Sequence, residues 1–373
     1  MSIFVEQRSG APAKVQSGTF SVLYEIRNAN PEHMRLAPIL LRSKQATGLT
    51  FNADIRPTPE QEEAFGGQIR VHVIKILLDS DKAFDDYPHR LDPLLQYKPR
   101  QKLPASPKTR QYPLRTSTID ESSVSGNIAV INDVYINQLK MTHEELSDMA
   151  IPSINDQSTN ARIRGAKVLR TEDVNPFTQL RCIQLGFGLF HLSMNLLWAL
   201  LHIHRGSITE AGSLCYFFAV LDRTRLGCEH PDYHTLLATL MQILRGVILD
   251  AWKVECGHSS LAAFSLSNPT PQQLCDIANQ ILLNHVNPPP DRSGKAPHTV
   301  PIDNTNRNLQ ILTRDLLYVL ELTHAISDGD FGRVEDMLGY LTMIFRGAGS
   351  NNYCTEILHF IFNLKRIWTP EFA

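Results

Sequence analysis

The part of the chain beyond Leu192 consists almost entirely of apolar segments whose spacing is typical of helices. Seven segments are predicted to be helical on this basis: Leu192–Arg205, Thr209–Arg225, Tyr233–Lys253, Pro271–Val286, Asn306–Ile326, Phe331–Phe345 and Asn352–Ile367. No repeat of fixed length relates the segments, which argues against a helical solenoid. The fold is therefore predicted to be mainly α.

Composition is that of a globular protein with a sizeable core. Of the 373 residues, 43% are apolar and 20% are charged, which leaves room for one large domain or two ordinary ones. The formal net charge is −2, so any attraction to nucleic acid has to come from a local basic patch.

The cysteines and the apolar segments bear on the cellular location. All six cysteines lie beyond residue 180 at irregular spacing, which favours reduced thiols and an intracellular location, in the nucleus or the cytoplasm. The segment Cys182–Ile203 is apolar enough to suggest a membrane span, yet Gln184, His191 and Asn195 would be costly in lipid. We expect a buried core segment there and no membrane association.

Composition divides the chain into three parts. Residues 1–97 are predicted to be irregular and helical, with a short helix near Phe20–Arg27. Residues 98–119 are predicted to be a linker, because Lys98–Arg115 carries six cations, four prolines and no acid. Residues 120–373 form the main domain, with a helical insertion at about 205–330 and a proline-rich surface loop at Asn287–Pro301.

One acidic residue stands where an apolar run meets a helix. The run AIPSI is followed by Asn155–Gln157, and a basic helical segment comes directly after it. At the end of a short strand the carboxylate of Asp156 would lie beside solvent, where it could bind a divalent cation. Alternatively, Asp156 caps the following helix through the backbone N–H groups near Ser158 and Thr159.

The helical segment after Asp156 is basic. It presents a row of cations, namely Arg162, Arg164, Lys167 and Arg170. Together with Lys98–Arg115 they could bind the phosphates of DNA weakly and without sequence preference. Tyr97 and Tyr112 are the only rings near the linker, so a stacking platform for single strands is not indicated. A solvated basic face explains the same pattern without a ligand.

Two further residues stand out in apolar surroundings. His191, in GLFHLSMN, is expected to be a buried core residue packed near Leu196, Leu197 and Trp198, with a local hydrogen-bond partner. Glu356 lies on the apolar segment NNYCTEILHFIF, where an ionised carboxylate needs a partner or a metal. A boundary position on an amphipathic helix is the alternative for Glu356.

Four stretches resemble, in order, a large family of uncharacterised proteins from mushroom-forming fungi (basidiomycetes), known only as a domain of unknown function. The stretches are SVSGNIAVINDVY, INDQSTNARIRGAKVLR, LGFGLFHLSMNLLWALLHIHRG and DGDFGRV…FRGAGSNNYCTEILHF, between Val124 and Trp368. Members of that family typically have Gly-Asp-Gln where this chain has Asn155–Gln157, a difference that keeps the acid.

A weaker resemblance is to the hAT-type transposases, which have an RNase H-like core with three acids that bind two metal ions. The resemblance implies that Asp156 matches the second acid, His191 the histidine of the following motif and Glu356 the third acid. Leu189 stands where many relatives carry an acid beside the histidine. Asp54 is the nearest candidate for the first acid. If such a site survives, it would take Mg²⁺ or Mn²⁺.

We therefore predict a mainly α protein (α/β) with a partial or degenerate RNase H-like core and a large helical insertion. It would be derived from a transposase and inactive as a nuclease. The alternative is an all-helical protein-interaction scaffold with no role in nucleic-acid binding, in which His191 and both acids are structural. The transposase prediction requires Asp156 at a strand end and the Glu356 carboxylate within reach of it. The abrupt end after Trp368 is expected to reflect an incomplete gene product.

Overall fold

The computed structural model describes residues 2–4, 15–26, 29–104, 108–288 and 304–373. Most of the predicted surface loop Asn287–Pro301 lies outside the described residues. The described part is mainly helical, as predicted. Its helices are α1 Leu36–Gln45, α2 Pro59–Ser80, α3 Val124–Asn132, α4 His143–Asp148, α5 Gln157–Leu169, α6 Leu189–His204, α7 Leu214–Val220, α8 Tyr233–Glu255, α9 Leu261–Leu266, α10 Pro271–Ile281, α11 Asn304–Asp328, α12 Phe331–Gly347 and α13 Asn351–Phe362.

Strands are few and short. They are β1 Ser2–Phe4, β2 Val15–Ser17, β3 Val22–Tyr24, β4 Gln111–Pro113, β5 Ile151–Asn155 and β6 Ile183–Phe187. In the described residues they form three separate two-stranded sheets, with β1 on β2, β3 on β4 and β5 on β6. The expected RNase H-like core is therefore not confirmed.

The chain forms two compact units, each built from separated segments. The first contains Met1–Asp54, Pro104–His191 and Thr355–Ala373, and the second contains Ile55–Leu103 and Leu192–Cys354. This grouping cuts through the predicted linker, between Leu103 and Pro104. It differs from the divisions at residues 97 and 119 that composition suggested.

The first unit is organised around a β–α–β segment. Strands β5 and β6 are parallel, with Ile151 opposite Ile183 and Asn155 opposite Phe187, and α5 connects them. Every residue of β6 is buried, whereas β5 alternates between half-buried and exposed positions. This burial makes β6 the inner strand of the pair.

Helix starts in the first unit follow local capping chemistry. Helix α4 begins with a capping box, in which Thr142 and Glu145 each bind the other's backbone N–H. Helix α3 begins after Ser123, whose hydroxyl accepts from the N–H of Gly126. A Cβ at Gly126 would lie 1.9 Å from the carbonyl oxygen of Asp120, so this close turn requires glycine.

The short helix predicted near Phe20–Arg27 is wrong. Val22–Tyr24 is strand β3, which pairs antiparallel with β4, and β4 comes from the stretch that was predicted to be a linker. The partner strand lies almost 90 residues further along the chain, where local periodicity cannot indicate it.

The second unit is a helical assembly around α2. The apolar face of α2 is fully buried at Val73, Ile74, Leu77 and Leu78, and the helix packs against α8, α10, α11 and α12. Trp252 of α8 is also buried and donates its indole N–H to the carbonyl of Val73, 3.1 Å away. Helix α8 is long and apolar enough to cross a membrane, but these contacts show a helix that packs within the unit.

A polar network lies inside the second unit. Arg333 binds both carboxylate oxygens of Glu321 at 2.6 and 2.8 Å, and both side chains are 1% exposed. Nε2 of His72 lies 2.6 Å from the same carboxylate, and Nδ1 lies 3.0 Å from the hydroxyl of Tyr97. Because an ionised carboxylate only accepts, His72 donates through Nε2. Burial lowers the pKa of His72 and keeps the ring neutral, so Nδ1 accepts from the hydroxyl of Tyr97. The network thus holds His72 neutral in one tautomer.

Burial sets the titration of this network. It lowers the pKa of His72, although the hydrogen bond to Glu321 opposes the shift. Burial also works to raise the pKa of Glu321, but the hydrogen bonds from His72 and Arg333 outweigh it and hold that pKa below its usual range. A lowered histidine pKa means that the unfolded chain takes up a proton at a higher pH than the native protein does.

We predict that the free energy of unfolding falls as the pH drops from about 6.5, the ordinary histidine pKa, towards the lower native pKa of His72. Each unit of lowering contributes about 1.4 kcal/mol of this loss. His72→Gln keeps a donor for Glu321 and an acceptor for Tyr97 but cannot titrate. Urea unfolding at a series of pH values should show a weaker pH dependence in the variant. An equal pH dependence in both proteins would contradict the assignment.

Candidate functional site

Asp156 lies at the end of β5, as the sequence predicts. Its side chain also caps α5, because Oδ1 accepts from the backbone N–H of Thr159 at 2.6 Å. Asp156 is therefore both the residue at the end of a strand and the N-cap of the following helix. A role for Asp156 in metal binding stays a prediction.

Glu356 lies on α13 and is 3% exposed. Arg164 of α5 donates two hydrogen bonds to its carboxylate, from Nη2 to Oε2 at 2.6 Å and from Nη1 to Oε1 at 3.2 Å. The amide nitrogen of Asn160 donates to Oε1 at 2.7 Å. The buried charge thus has a fixed, opposite partner on the helix that Asp156 caps.

Two asparagines connect this ion pair to the strands. Asn160 is fully buried and also donates to the carbonyl of Gly186 in β6, at 2.9 Å. Its amide oxygen accepts from Asn155, the last residue of β5, at 3.0 Å. Asn155, Asn160, Arg164 and Glu356 therefore form one hydrogen-bonded group, the carboxylate cluster, that joins both strands to α5 and α13.

The other basic residues of α5, and Arg170 directly after it, also interact with groups of the first unit. Lys167 donates to the carbonyl of Ile183, and burial of its ammonium lowers its pKa to about 8. Arg170 pairs with Asp173 at 2.6 Å. Arg162 is half-buried and lies close enough to Asp120 to lower the pKa of that carboxyl, though less than the hydrogen bonds from Ser122 do. Nucleic-acid binding by these cations stays a prediction.

The predicted burial of His191 is wrong. His191 is exposed in the first turn of α6, with its ring edge-on to Phe190 at a centroid distance of 5.6 Å. The buried positions of α6 include Leu192, Leu196 and Leu200, which repeat at helical spacing. His191 falls outside this stripe, because one residue is a rotation of about 100° around a helix.

Asp54, the residue proposed for a first acid, has its own arginine. It is 5% exposed and pairs with Arg366 at 2.7 Å. The backbone N–H of Thr50 donates to its other oxygen at 2.8 Å. That hydrogen bond, followed by the charge of Arg366, lowers the pKa of Asp54 despite its burial. Asp54 is thus ionised and compensated in a separate ion pair.

The donor set around Glu356 does not fit a divalent cation. Mg²⁺ and Mn²⁺ need several oxygen ligands, whereas both oxygens of Glu356 accept from nitrogen donors and the nearest charge is the Arg164 guanidinium. Asp156 already uses one oxygen to cap α5. Across the described ranges there is no group of three or more His, Cys, Asp or Glu side chains that could hold a metal ion.

The sequence indicates that Glu356 needs a partner but not which residue supplies it. Asn160 and Arg164 are four residues apart, so they lie on one face of α5 and both point at Glu356. That spacing is the one available signal. The four-residue spacing identifies Asn160 and Arg164 as partners of Glu356 only once α13 is known to pack beside α5.

We predict an asymmetric response to removing the two charges of the pair. Arg164→Met leaves a carboxylate that is 3% exposed without its cation, and this should cost about 3 kcal/mol of unfolding free energy. Glu356→Gln should cost less, because the Arg164 side chain is 22% exposed and can be hydrated. The double variant should be more stable than the sum of the single losses implies.

Arg162→Met is the matched control, since Arg162 is a half-buried cation on the same helix. It should change the free energy of unfolding by no more than about 0.5 kcal/mol. Urea denaturation followed by circular dichroism gives all four values. Equal, small losses for Arg164→Met and Arg162→Met would show that the pair contributes nothing.

Comparison with known proteins gives one match. The model of a family of unknown function (DUF6589) covers residues 44–373. No curated protein matches the chain, and no solved structure matches it. Because the family model covers most of the chain, including the whole carboxylate cluster, the protein belongs to this family of unknown function.

Proposed function

We propose that this protein is a non-catalytic relative of transposases, in which an internal ion pair takes the place of a metal site. The observation that carries the proposal is the two-pronged contact of Arg164 with Glu356 beside the end of β5. A strand-end acid, a following helix, a long helical stretch and a late-helix glutamate occur in the order that the transposase resemblance implies.

The chemistry of the cluster supports loss of activity. Metal-dependent phosphoryl transfer uses carboxylates that share cations, which position the attacking and the leaving oxygen. A guanidinium neutralises Glu356 but cannot coordinate and activate a water molecule as a bound metal ion does, and it offsets the negative charge that would attract a metal ion. Arg164 would therefore serve the fold and not a reaction.

A second candidate function is a protein-interaction scaffold. It is favoured by large apolar side chains exposed within a few residues of each other, at Val168, Leu169 and Val174, with exposures of 75%, 77% and 98%. Exposed apolar side chains that are contiguous on a surface are typical of a binding region. This candidate needs no role for nucleic acid.

Weak DNA binding would have to rely on cations outside the ion pairs. In the basic stretch, Arg100 pairs with Asp336, Lys102 with Asp328 and Arg110 with Glu25. These ion pairs neutralise three of the six cations of Lys98–Arg115. Contacts to phosphate would then fall to residues such as Lys108, which is exposed, and Arg162.

We predict no metal-dependent cleavage of DNA. Supercoiled plasmid incubated with the protein and Mg²⁺ or Mn²⁺ should remain intact, and wild type should not differ from Asp156→Ala. The Asp156→Ala preparation controls for contaminating nucleases. Cleavage by wild type that requires the metal and disappears in Asp156→Ala would overturn the proposed loss of activity.

We predict that binding to duplex DNA, measured by fluorescence anisotropy, is detectable only at low salt and weakens steeply as salt rises. Lys108→Glu combined with Arg162→Glu should weaken it further. These positions avoid Arg164 and Lys167, whose replacement would disturb the fold. If the affinity for DNA changes neither with salt concentration nor in the double variant, contacts between these residues and the phosphates are ruled out.

A further inference from the structure

Two of the six thiols lie near each other on the second unit. Cys215 is the second residue of α7 and is half-buried, and Cys228 is exposed directly after the turn Thr224–Gly227. The remaining four cysteines are buried. All six are free thiols in this structure. Only this pair combines mutual proximity with access from solvent among the described cysteines.

Contacts of Gly227 and Arg205 show that Cys215 lies close to the backbone beside Cys228. A Cβ built on Gly227 would lie 3.4 Å from Sγ of Cys215, so this sulfur rests against the backbone of the residue that precedes Cys228. Arg205 bridges the two cysteines. Its carbonyl accepts from the N–H of Cys215 at 2.9 Å, and its guanidinium donates to the carbonyl of Cys228 at 3.3 Å.

This geometry is within reach of a disulfide. Neighbouring Cα atoms are about 3.8 Å apart, so the Cα of Cys228 is one residue step from the backbone that Sγ of Cys215 touches. A disulfide needs Cα atoms about 4.4–6.8 Å apart and a rotation of the two side chains towards each other. Because Cys228 is exposed and follows the turn directly, its side chain can rotate without disturbing the core.

We propose that Cys215 and Cys228 form a redox-sensitive modification site that closes an intrachain disulfide in response to peroxide. The thiolate of Cys228 attacks hydrogen peroxide, the O–O bond breaks, and a sulfenic acid and one water form. Cys215 then attacks the sulfenic sulfur, the S–S bond forms, and a second water leaves. Two thiols are oxidised by two electrons, and one peroxide is reduced to two waters.

The roles of the two thiols follow from their exposure. Cys228 is open to solvent and meets the oxidant first, whereas Cys215 is half-buried and resolves the sulfenic acid from within the surface. The product would tie α7 to the turn that follows it and close the segment 215–228.

The test is peptide mapping of the reduced full-length chain before and after treatment with hydrogen peroxide, with remaining thiols blocked by N-ethylmaleimide. Trypsin places Cys215 in peptide 206–223 and Cys228 in peptide 226–245. We expect these two peptides to appear joined, with a loss of 2 Da that dithiothreitol reverses. Cys354→Ser, which removes a buried thiol of the same unit, should leave the joined peptide unchanged.

Two variants separate this from other oxidation products. In Cys215→Ser we expect Cys228 to accumulate as sulfenic or sulfinic acid, and in Cys228→Ser we expect Cys215 to stay alkylatable. The melting temperature should rise on oxidation of wild type and not in either variant. Oxidised wild type in which Cys215 is still fully alkylated, or in which Cys228 joins a second chain, would overturn the proposal.

Discussion

A carboxylate in an apolar interior has to be compensated in place, because water is not there to solvate it. In the first unit Glu356 is such a carboxylate, and Arg164 and Asn160 compensate it by donating hydrogen bonds to its oxygens. Since Asn160 also binds β6 and the end of β5, the same group that neutralises Glu356 fixes where α13 packs. The arrangement of this part of the fold thus depends on one ion pair.

The same solution recurs elsewhere in the chain. Asp54 pairs with Arg366, and in the second unit Glu321 pairs with Arg333 while His72 completes the network. Each of these acids is nearly inaccessible and has both oxygens engaged by nitrogen donors. Glu356, Asp54 and Glu321 are therefore each compensated by an internal cation.

The sequence predicts those features that depend on neighbouring residues. Helical spacing beyond Leu192 reflects local energetics, and the structure confirms that this part of the chain is helical. The pairing of β3 with β4 and the partner of Glu356 depend on residues that meet only after folding, 192 positions apart for Arg164 and Glu356. His191 shows a further difficulty, since an apolar neighbourhood in sequence does not say which side of a helix is buried.

The central claim is that the Arg164 guanidinium occupies the place where a metal ion could bind Glu356. Measuring Mn²⁺ binding by electron paramagnetic resonance tests this claim most directly. We expect the spectrum of free Mn²⁺ to be unchanged by stoichiometric wild-type protein, and to stay unchanged with Glu356→Gln. A bound Mn²⁺ signal that appears with wild type and vanishes with both Glu356→Gln and Asp156→Ala would contradict the account, because it would show that these two acids share a metal despite Arg164.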